Sequence, residues 1–155
     1  MWLNSFMKRV VIDSFTDESG QDTKGKIFVV CTVIIPASLT QEISEKLLEL
    51  ENKSGKVKKW FETGNKRRVS YLILLLEERI FQKIEVFYSK YQNKSDYVSL
   101  IGAHIAKAII LYSQDKPYLA KVFIDKMDRK TTQNLKKEIK SFRIKYRKIR
   151  GLTDQ

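Results

Sequence analysis

The chain has 155 residues, which is the length of one domain with a hydrophobic core of its own. Thirty lysine and arginine residues against eighteen aspartate and glutamate residues give a net charge of +12, which favours an anionic partner: nucleic acid, an anionic membrane surface or an acidic protein. The single cysteine, Cys31, excludes an intramolecular disulfide and a cysteine-based zinc cluster, and the single histidine, His104, argues against a zinc-type hydrolase.

Two strands open the chain. The first is predicted from Val10 to about Thr16, and residues 17–25 form a polar turn. The second, Ile27 to Ile35, is β-branched and apolar on both faces, which indicates a central strand, and Pro36 ends it because proline cannot donate to a sheet ladder. Cys31 lies in this strand and is expected to be a buried small hydrophobe.

A helical insertion of about residues 37–81 is predicted next. Ser38-Leu39-Thr40-Gln41 matches a capping box, so a helix is expected from there to about Ser54-Gly55. A basic segment, 56–68, follows, and a second helix is predicted over 69–81. The middle of that helix is almost wholly apolar, which predicts that it is well buried.

The second half alternates strands and helices. The predicted elements are a strand over 83–91, a helix over 96–114 capped by Ser95, a strand over 120–124 closing on Asp125, a helix from Thr131 or Thr132 to about Ser141, and a strand over 142–149. This order predicts an α/β protein with a mixed five-stranded sheet and helices on its faces. It is similar to the order of ribonuclease H-like folds, and several other α/β folds would fit it.

We expect one domain over residues 1–155 and no membrane partner. No stretch approaches the ~20 apolar residues that a membrane helix needs, and residues 1–9 lack the apolar core and cleavage site of a signal peptide. These features predict a cytoplasmic protein. The sequence gives no indication of the oligomeric state.

Two aspartates follow predicted strands and are candidate metal ligands. Asp17 comes just past the first strand and Asp125 just past the fourth, and ligand sites of open α/β sheets lie beyond the carboxyl ends of strands. If the two strands are parallel neighbours, the carboxylates converge and need a proton or a cation between them. Mg²⁺ or Mn²⁺ suits such a site, and two ions roughly 3.5–4 Å apart would stabilise both oxygens of a phosphodiester displacement. In the alternative interpretation each aspartate is a turn residue that bonds its own backbone.

Three other polar residues have ordinary structural explanations beside functional ones. Asp13 shares the strand parity of Asp17 and is able to point the same way, whereas Asp128 is expected near the start of a helix. His104 lies in a helical run and is expected to be a packing residue rather than a catalytic base.

Basic residues dominate the end of the chain. Residues 121–150 hold twelve lysines and arginines against three acidic residues. Arg143, Lys145 and Arg147 are predicted to emerge on one face of the last strand and to contact phosphates in a salt-dependent manner. In the insertion, Trp60 is a candidate base-stacking platform, with Lys59, Lys66 and Arg67 as phosphate contacts beside it. In the alternative interpretation, Trp60 packs the insertion helices on the sheet.

Several motifs resemble the domain of unknown function 3800 family, and the resemblance covers nearly the whole chain. Its most specific piece is Asp17-Glu18-Ser19-Gly20. The others are Gln21–Gly25, Phe28–Val30, Ser54–Lys56, Lys59-Trp60, Asn65–Arg68, Phe123–Asp125 and Lys148–Asp154.

This resemblance implies a ribonuclease H-like fold, a nucleolytic activity and an acidic cluster of Asp17, Glu18, Asp125 and Asp154. Two departures bear on the cluster. The family pattern has a glutamate where this sequence has Gln155, and it continues into a C-terminal helix with a further acidic residue for which this sequence has no counterpart. Ribonuclease H enzymes also carry a glutamate on the helix after the third strand, and residues 96–114 contain none.

The leading hypothesis is a metal-dependent nuclease-like domain acting on RNA or DNA. Asp17 and Asp125 would bind the metal, and Glu18 or Asp154 would complete its shell or position water. The nucleic-acid backbone would be held by Lys59, Trp60, Lys66, Arg67, Arg143, Lys145 and Arg147. The alternatives are a non-catalytic nucleic-acid-binding module with an incomplete metal site and a protein-interaction domain with an acidic partner.

Overall fold

The structure, a computed structural model, describes residues 9–20, 27–92, 96–114, 116–125 and 127–152. The chain divides into two compact units, Met1–Ala37 with Glu85–Gln155 and Ser38–Ile84. The predicted insertion falls almost entirely within the second unit. The assignment of residues 1–155 to one domain stays a prediction.

The first unit is built on a mixed sheet. Its described strands are β1 (Val10–Ser19), β2 (Phe28–Pro36), β3 (Glu85–Tyr91), β4 (Tyr118–Asp125) and β5 (Tyr146–Leu152). They lie in the order β3-β2-β1-β4-β5. β2 runs antiparallel to β1 and β3, while β4 is parallel to both β1 and β5. This topology confirms the predicted α/β fold class with a mixed five-stranded sheet.

Two helices of the first unit begin at aspartate caps. α3 (Tyr97–Ser113) follows Asp96, whose carboxylate accepts a hydrogen bond from the backbone N–H of Ser99. α4 (Arg129–Ser141) follows Asp128, whose carboxylate accepts from two backbone N–H groups. Such caps satisfy donors that the first helical turn leaves free. The predicted cap Ser95 lies outside the described residues, and the start predicted at Thr131 or Thr132 was too late because Asp128 is the cap.

The core lies between these helices and one face of the sheet. Alternate residues of β1, β2 and β4 point to this face, and they are buried together with the inner faces of α3 and α4. Its largest fully buried members include Ile12, Phe28, Ile34, Ile101, Ile105, Ile109, Leu135 and Ile139. The predicted central position of β2 is confirmed because β2 lies between β3 and β1.

The second unit contains α1 (Thr40–Ser54) and α2 (Asn65–Glu77). The predicted capping box is wrong, because α1 is preceded by Leu39 and has no side-chain cap. The predicted end is confirmed at Gly55, whose φ of 70° is the left-handed conformation that glycine adopts without strain. Short 3₁₀ turns cover Trp60–Glu62 and Arg79–Lys83.

The predicted burial of the second insertion helix is wrong. α2 starts at Asn65 and therefore includes three basic residues of the segment that was read as a connection. Lysine and arginine are good helix formers, and Gly64 accepts the first backbone hydrogen bonds of the helix. None of the α2 side chains is fully buried, and Val69, Leu72, Ile73 and Leu76 are exposed.

Two strand boundaries also differ from the predictions. β1 continues through Asp17 and Glu18 to Ser19, because these residues pair with the first half of β2 rather than forming a turn. The last strand begins at Tyr146 instead of Phe142, because Arg143 has a left-handed φ of 58° that an extended strand does not allow. In the described part of the chain, no helix is long and apolar enough to span a membrane.

A tight contact between α3 and α4 gives a stability test. A Cβ added at Gly102 would lie 2.7 Å from the Cβ of Glu138, so the two helices would have to move apart. We expect Gly102→Ala to lower the free energy of unfolding by about 1–2 kcal/mol, measured by urea denaturation. Alanine without a clash would instead raise helix stability. A more stable variant would therefore show that α3 and α4 do not approach this closely.

Candidate active site

The pairing of β1 with β4 positions the two candidate metal ligands. The strands are parallel and in register, with Asp13 beside Lys121 and Phe15 beside Phe123. The side chains of both pairs point to the same sheet face, since Lys121 Nζ lies 3.7 Å from Asp13 Oδ1 and the two phenyl rings stack with centroids 4.7 Å apart. This face is opposite to the one that packs on α3 and α4.

Asp17 and Asp125 occupy the next step of this row. Each lies two residues beyond its phenylalanine, so both point to the same face at the carboxyl end of the sheet. Neighbouring strands lie about 4.8 Å apart. Both aspartates are exposed to solvent. The sequence-based expectation that these carboxylates come from parallel neighbours at one edge is therefore confirmed.

Glu18 is held in the electrostatic field of both aspartates. Burial, then the negative charge of Asp17 and then that of Asp125 together raise its pKa to about 7. Its Oε2 atom is buried and has no hydrogen-bond partner in the described ranges. Near neutral pH Glu18 is therefore partly protonated, and a positive charge close to Asp17 and Asp125 would lower its pKa.

These carboxylates suit a hard divalent cation in their chemistry, since oxygen atoms are the ligands of Mg²⁺ and Mn²⁺. They do not converge on one point. Successive strand residues point to opposite faces, so Glu18 points away from the face that carries Asp17. Among the described residues, no three histidine, cysteine, aspartate or glutamate side chains lie close enough together to hold a metal ion. Of these three carboxylates, those of Asp17 and Asp125 share a face of the sheet.

The alternative interpretation of Asp17, a turn residue that bonds its own backbone, agrees in part with the structure. Its Oδ1 atom accepts a hydrogen bond of 2.9 Å from the backbone N–H of Glu18, as a turn aspartate would.

Cys31 lies opposite Asp17 on β2 and is half-buried rather than buried. Burial and the charge of Asp17 raise the pKa of its thiol, which keeps it protonated and unreactive.

A concave surface of about 490 Å³ lies over β4 and β5. We call it the basic groove, and it is lined by Lys121, Val122, Phe123, Arg147, Lys148 and Arg150. Lys148 pairs with Lys121 and Arg150 with Phe123 in the sheet register. Because β5 is parallel to β4, the groove leads along the strands toward the edge that carries Asp125. Within the described ranges, Arg147, Lys148 and Arg150 form no ion pair.

The predicted row of Arg143, Lys145 and Arg147 on one strand face is wrong. Arg143 and Lys145 precede β5, and the carbonyl of Lys145 accepts from the N–H of Ala120 near the start of β4. They therefore lie toward the opposite edge of the sheet from Asp125. Arg147 sits at an irregularity between two paired positions of β5 and lines the basic groove.

Sequence reasoning missed the basic residues that face the acidic edge. Lys121 shares the parity of Asp125 on β4, and this spacing is visible in the sequence. Lys148 falls near the end of the predicted last strand and Arg150 just beyond it, and the irregularity at Arg147 reverses the parity on which a face assignment depends.

The candidate nucleic-acid residues of the second unit lie around a 3₁₀ turn and the start of α2. Trp60 is 44% exposed, and the guanidinium of Arg68 lies 5.4 Å from its ring centroid. Arg68 also donates to the carbonyls of Trp60 and Phe61, which fixes this segment. Lys59, Lys66 and Arg67 are exposed. Their contact with nucleic acid stays a prediction.

The remaining candidates have mixed outcomes. Asp13 shares the face of Asp17 as predicted, but it is only 3% exposed. His104 is buried, with Nδ1 2.8 Å from Ser89 Oγ, and burial lowers its pKa, which suits the predicted packing role. Asp128 is the α4 cap. Asp154 lies outside the described residues.

Comparisons with known proteins give a distant structural likeness. One similar solved structure is a complex of PCNA with RNase HII from Archaeoglobus fulgidus, with 15% sequence identity and a TM-score of 0.45. The match covers 90% of this chain and 62% of that one, so this chain corresponds to less than two thirds of its length. No family model matches the sequence, and no curated protein matches it either.

The raised pKa of Glu18 predicts a pH-dependent stability. A carboxyl with a folded pKa of about 7 and an ordinary value of 4.5 binds more protons when folded, so stability falls as the pH rises from about 4.5 through 7. Glu18→Gln should remove this slope and raise stability at pH 8 by about 1–2 kcal/mol, after discounting for partial exposure. Urea denaturation across this pH range measures it. A variant that is no more stable than the original at high pH would contradict the assignment.

Proposed function

We propose that this protein is a metal-dependent nuclease-like domain that acts on phosphodiester bonds of RNA or DNA. The observation that carries the proposal is the in-register pairing of β1 with β4, which brings Asp17 and Asp125 to one edge and one face of the sheet beside the basic groove. A ribonuclease H-like fold supports it. We also propose, from the motifs beginning at Asp17-Glu18-Ser19-Gly20, that the chain is related to the domain of unknown function 3800 family.

Asp17 and Asp125 would hold the Mg²⁺ or Mn²⁺ ion. When bound, such an ion supplies Lewis-acid stabilisation of phosphate oxygens and lowers the pKa of a coordinated water. The two carboxylates would hold the ion on the solvent-exposed face, where a nucleic-acid backbone has access. The hydrogen bond from the Glu18 N–H fixes the Asp17 carboxylate, which limits the reorganisation needed on binding.

Glu18 would act through its proton rather than as a ligand on the same face. Its pKa of about 7 lets it give up a proton when a cation arrives and take one up when the cation leaves. Asp154 remains a candidate for completing the site or positioning water, on the basis of the family resemblance.

The basic groove would hold the phosphate backbone. Lys121, Lys148 and Arg150 share the sheet face of the aspartates by register. The half-buried ring of Phe123 lies among them and offers an apolar surface for a base or sugar. A nucleic-acid strand lying along β4 would place successive phosphates over the basic side chains of the groove and one phosphate at the aspartate pair.

The second candidate function is nucleic-acid binding without cleavage. The observation that favours it is that no three metal-ligating side chains converge in the described ranges, so two aspartates alone would have to hold the ion. One measurement distinguishes the two candidate functions. Labelled single- and double-stranded RNA and DNA are incubated with Mg²⁺ or Mn²⁺, and cleavage that Asp17→Asn abolishes supports the nuclease, whereas binding without cleavage supports the second function.

Metal binding should stabilise the fold in a pH-dependent way. Because a cation displaces the proton on Glu18, we expect Mn²⁺ to raise the melting temperature by several degrees at pH 8 and by less at pH 5.5. The Asp17→Asn, Asp125→Asn double variant should show no shift at either pH in thermal denaturation. An equal shift in the original protein and the double variant would contradict the site.

Oligonucleotide binding should depend on the basic groove. We expect Lys148→Ala with Arg150→Ala to weaken binding about tenfold and to reduce the salt dependence by about two phosphate contacts, measured by fluorescence anisotropy in EDTA. The matched control is Lys137→Ala with Lys140→Ala, which removes the same charge from exposed positions of α4. Equal losses in both pairs would show that net charge, not the groove, binds the oligonucleotide.

A further inference from the structure

An exposed apolar stripe runs along α2. Val69, Leu72, Ile73 and Leu76 are 55%, 44%, 51% and 83% exposed, and their spacing of three and four residues places them on one side of the helix. Single exposed apolar residues are ordinary on protein surfaces, but a continuous helical stripe marks an interaction surface.

The opposite side of α2 already has its partner. The ring of Tyr71 lies 5.0 Å from Lys56 Nζ, and Glu78 Oε1 lies 3.5 Å from Lys46 Nζ on α1. At 3.6 residues per turn, Tyr71 lies on the side of the helix away from the stripe, and Glu78 directly follows the last helical residue. α2 therefore has two apolar sides, one of which packs on α1 while the other is exposed.

Opposite charges flank the stripe. Lys66, one turn before Val69, and Glu77, next to Leu76, lie on the same flank of the helix. Both are exposed, and neither has an ion-pair partner within the described residues. The stripe thus has a positive end and a negative end. Two copies of the stripe that run in opposite directions would bring unlike charges together.

We propose that a second copy of this chain covers the stripe, with the two α2 helices packed antiparallel about a two-fold axis between Leu72 and Ile73. This axis places Leu72 against Ile73 of the second copy and Val69 against its Leu76. Residues on the same flank meet across an antiparallel pair, so Lys66 lies beside Glu77 of the second copy, and the contact occurs twice by symmetry. In a parallel two-fold arrangement the flank that carries Lys66 and Glu77 would face the other flank of the second copy, so the two charges would not pair.

This role for α2 is independent of the proposed nuclease site, which lies in the first unit. It gives Lys66 a contact with protein rather than the predicted contact with nucleic acid. A contact of two four-residue stripes is small, so we expect a dimer that dissociates in the micromolar range.

Sedimentation velocity of the full chain over a micromolar concentration series tests the proposal, at ~0.15 M salt so that long-range repulsion between basic copies is screened. The original protein should shift from monomer to dimer. Leu72→Glu should weaken association at least about tenfold, since the charge would lie at the centre of the contact. The matched control is Leu48→Glu, an exposed leucine on α1 outside the stripe, which should leave association unchanged.

A charge exchange tests the geometry without disturbing the apolar contact. Lys66→Glu should weaken association several-fold, and the double variant Lys66→Glu, Glu77→Lys should restore it, because the cross-copy pair is re-formed with reversed signs. A protein that stays monomeric at every concentration overturns the proposal. Equal weakening by Leu48→Glu and Leu72→Glu, or failure of the exchange to restore association, would overturn it as well.

Discussion

The parallel pairing of β1 with β4 is the constraint on which the candidate site depends. Two strands separated by about a hundred residues of sequence meet in one register, and that register repeats every second residue on the same face. Asp13 with Lys121, Phe15 with Phe123, and then Asp17 with Asp125 follow from it in order. A shift of one residue in either strand would turn one aspartate to the helix-covered face, where a charge is costly.

The two ends of this row have opposite electrostatic character. At Asp13 a buried carboxylate has a lysine beside it, whereas at the other end, just beyond the last pair Thr16 and Ile124, both strands continue with an aspartate. Burial and, after it, the negative field of these aspartates raise the pKa of Glu18. Cations line the basic groove on the same face, so the surface offers phosphate contacts along the strands and a cation-seeking pair at their end. This combination is what the proposed activity requires from the protein.

The sequence predicted the order of elements and the meeting of the two aspartates because both depend on strong local signals. The run of β-branched residues in β2 and the strand that closes on Asp125 leave little choice of secondary structure. Parity on β1 also indicated that Asp13 and Asp17 share a face. These signals lie within single elements, where periodicity is informative.

The predictions failed where an outcome depended on contacts between elements. The apolar middle of α2 predicted that the helix is buried within the chain. A helix with apolar residues on two sides does not need to bury both within its own chain if a second molecule covers one side. Arg143 and Lys145 do not share a strand face with Arg147, because the left-handed conformation of Arg143 makes the last strand begin later. The irregularity at Arg147 then changes which residues of that strand share a face. Glu18 does not share the face of Asp17, because adjacent residues of one strand point to opposite faces.

The central claim is that Asp17 and Asp125 share a cation at the carboxyl edge of the sheet. Anomalous X-ray diffraction from crystals containing Mn²⁺ tests it most directly. The account predicts one anomalous peak in direct contact with a carboxylate oxygen of Asp17 and one of Asp125, at distances of about 2.0–2.3 Å. A peak that touches neither aspartate, or well-ordered carboxylates that are too far apart to share an ion, would contradict it.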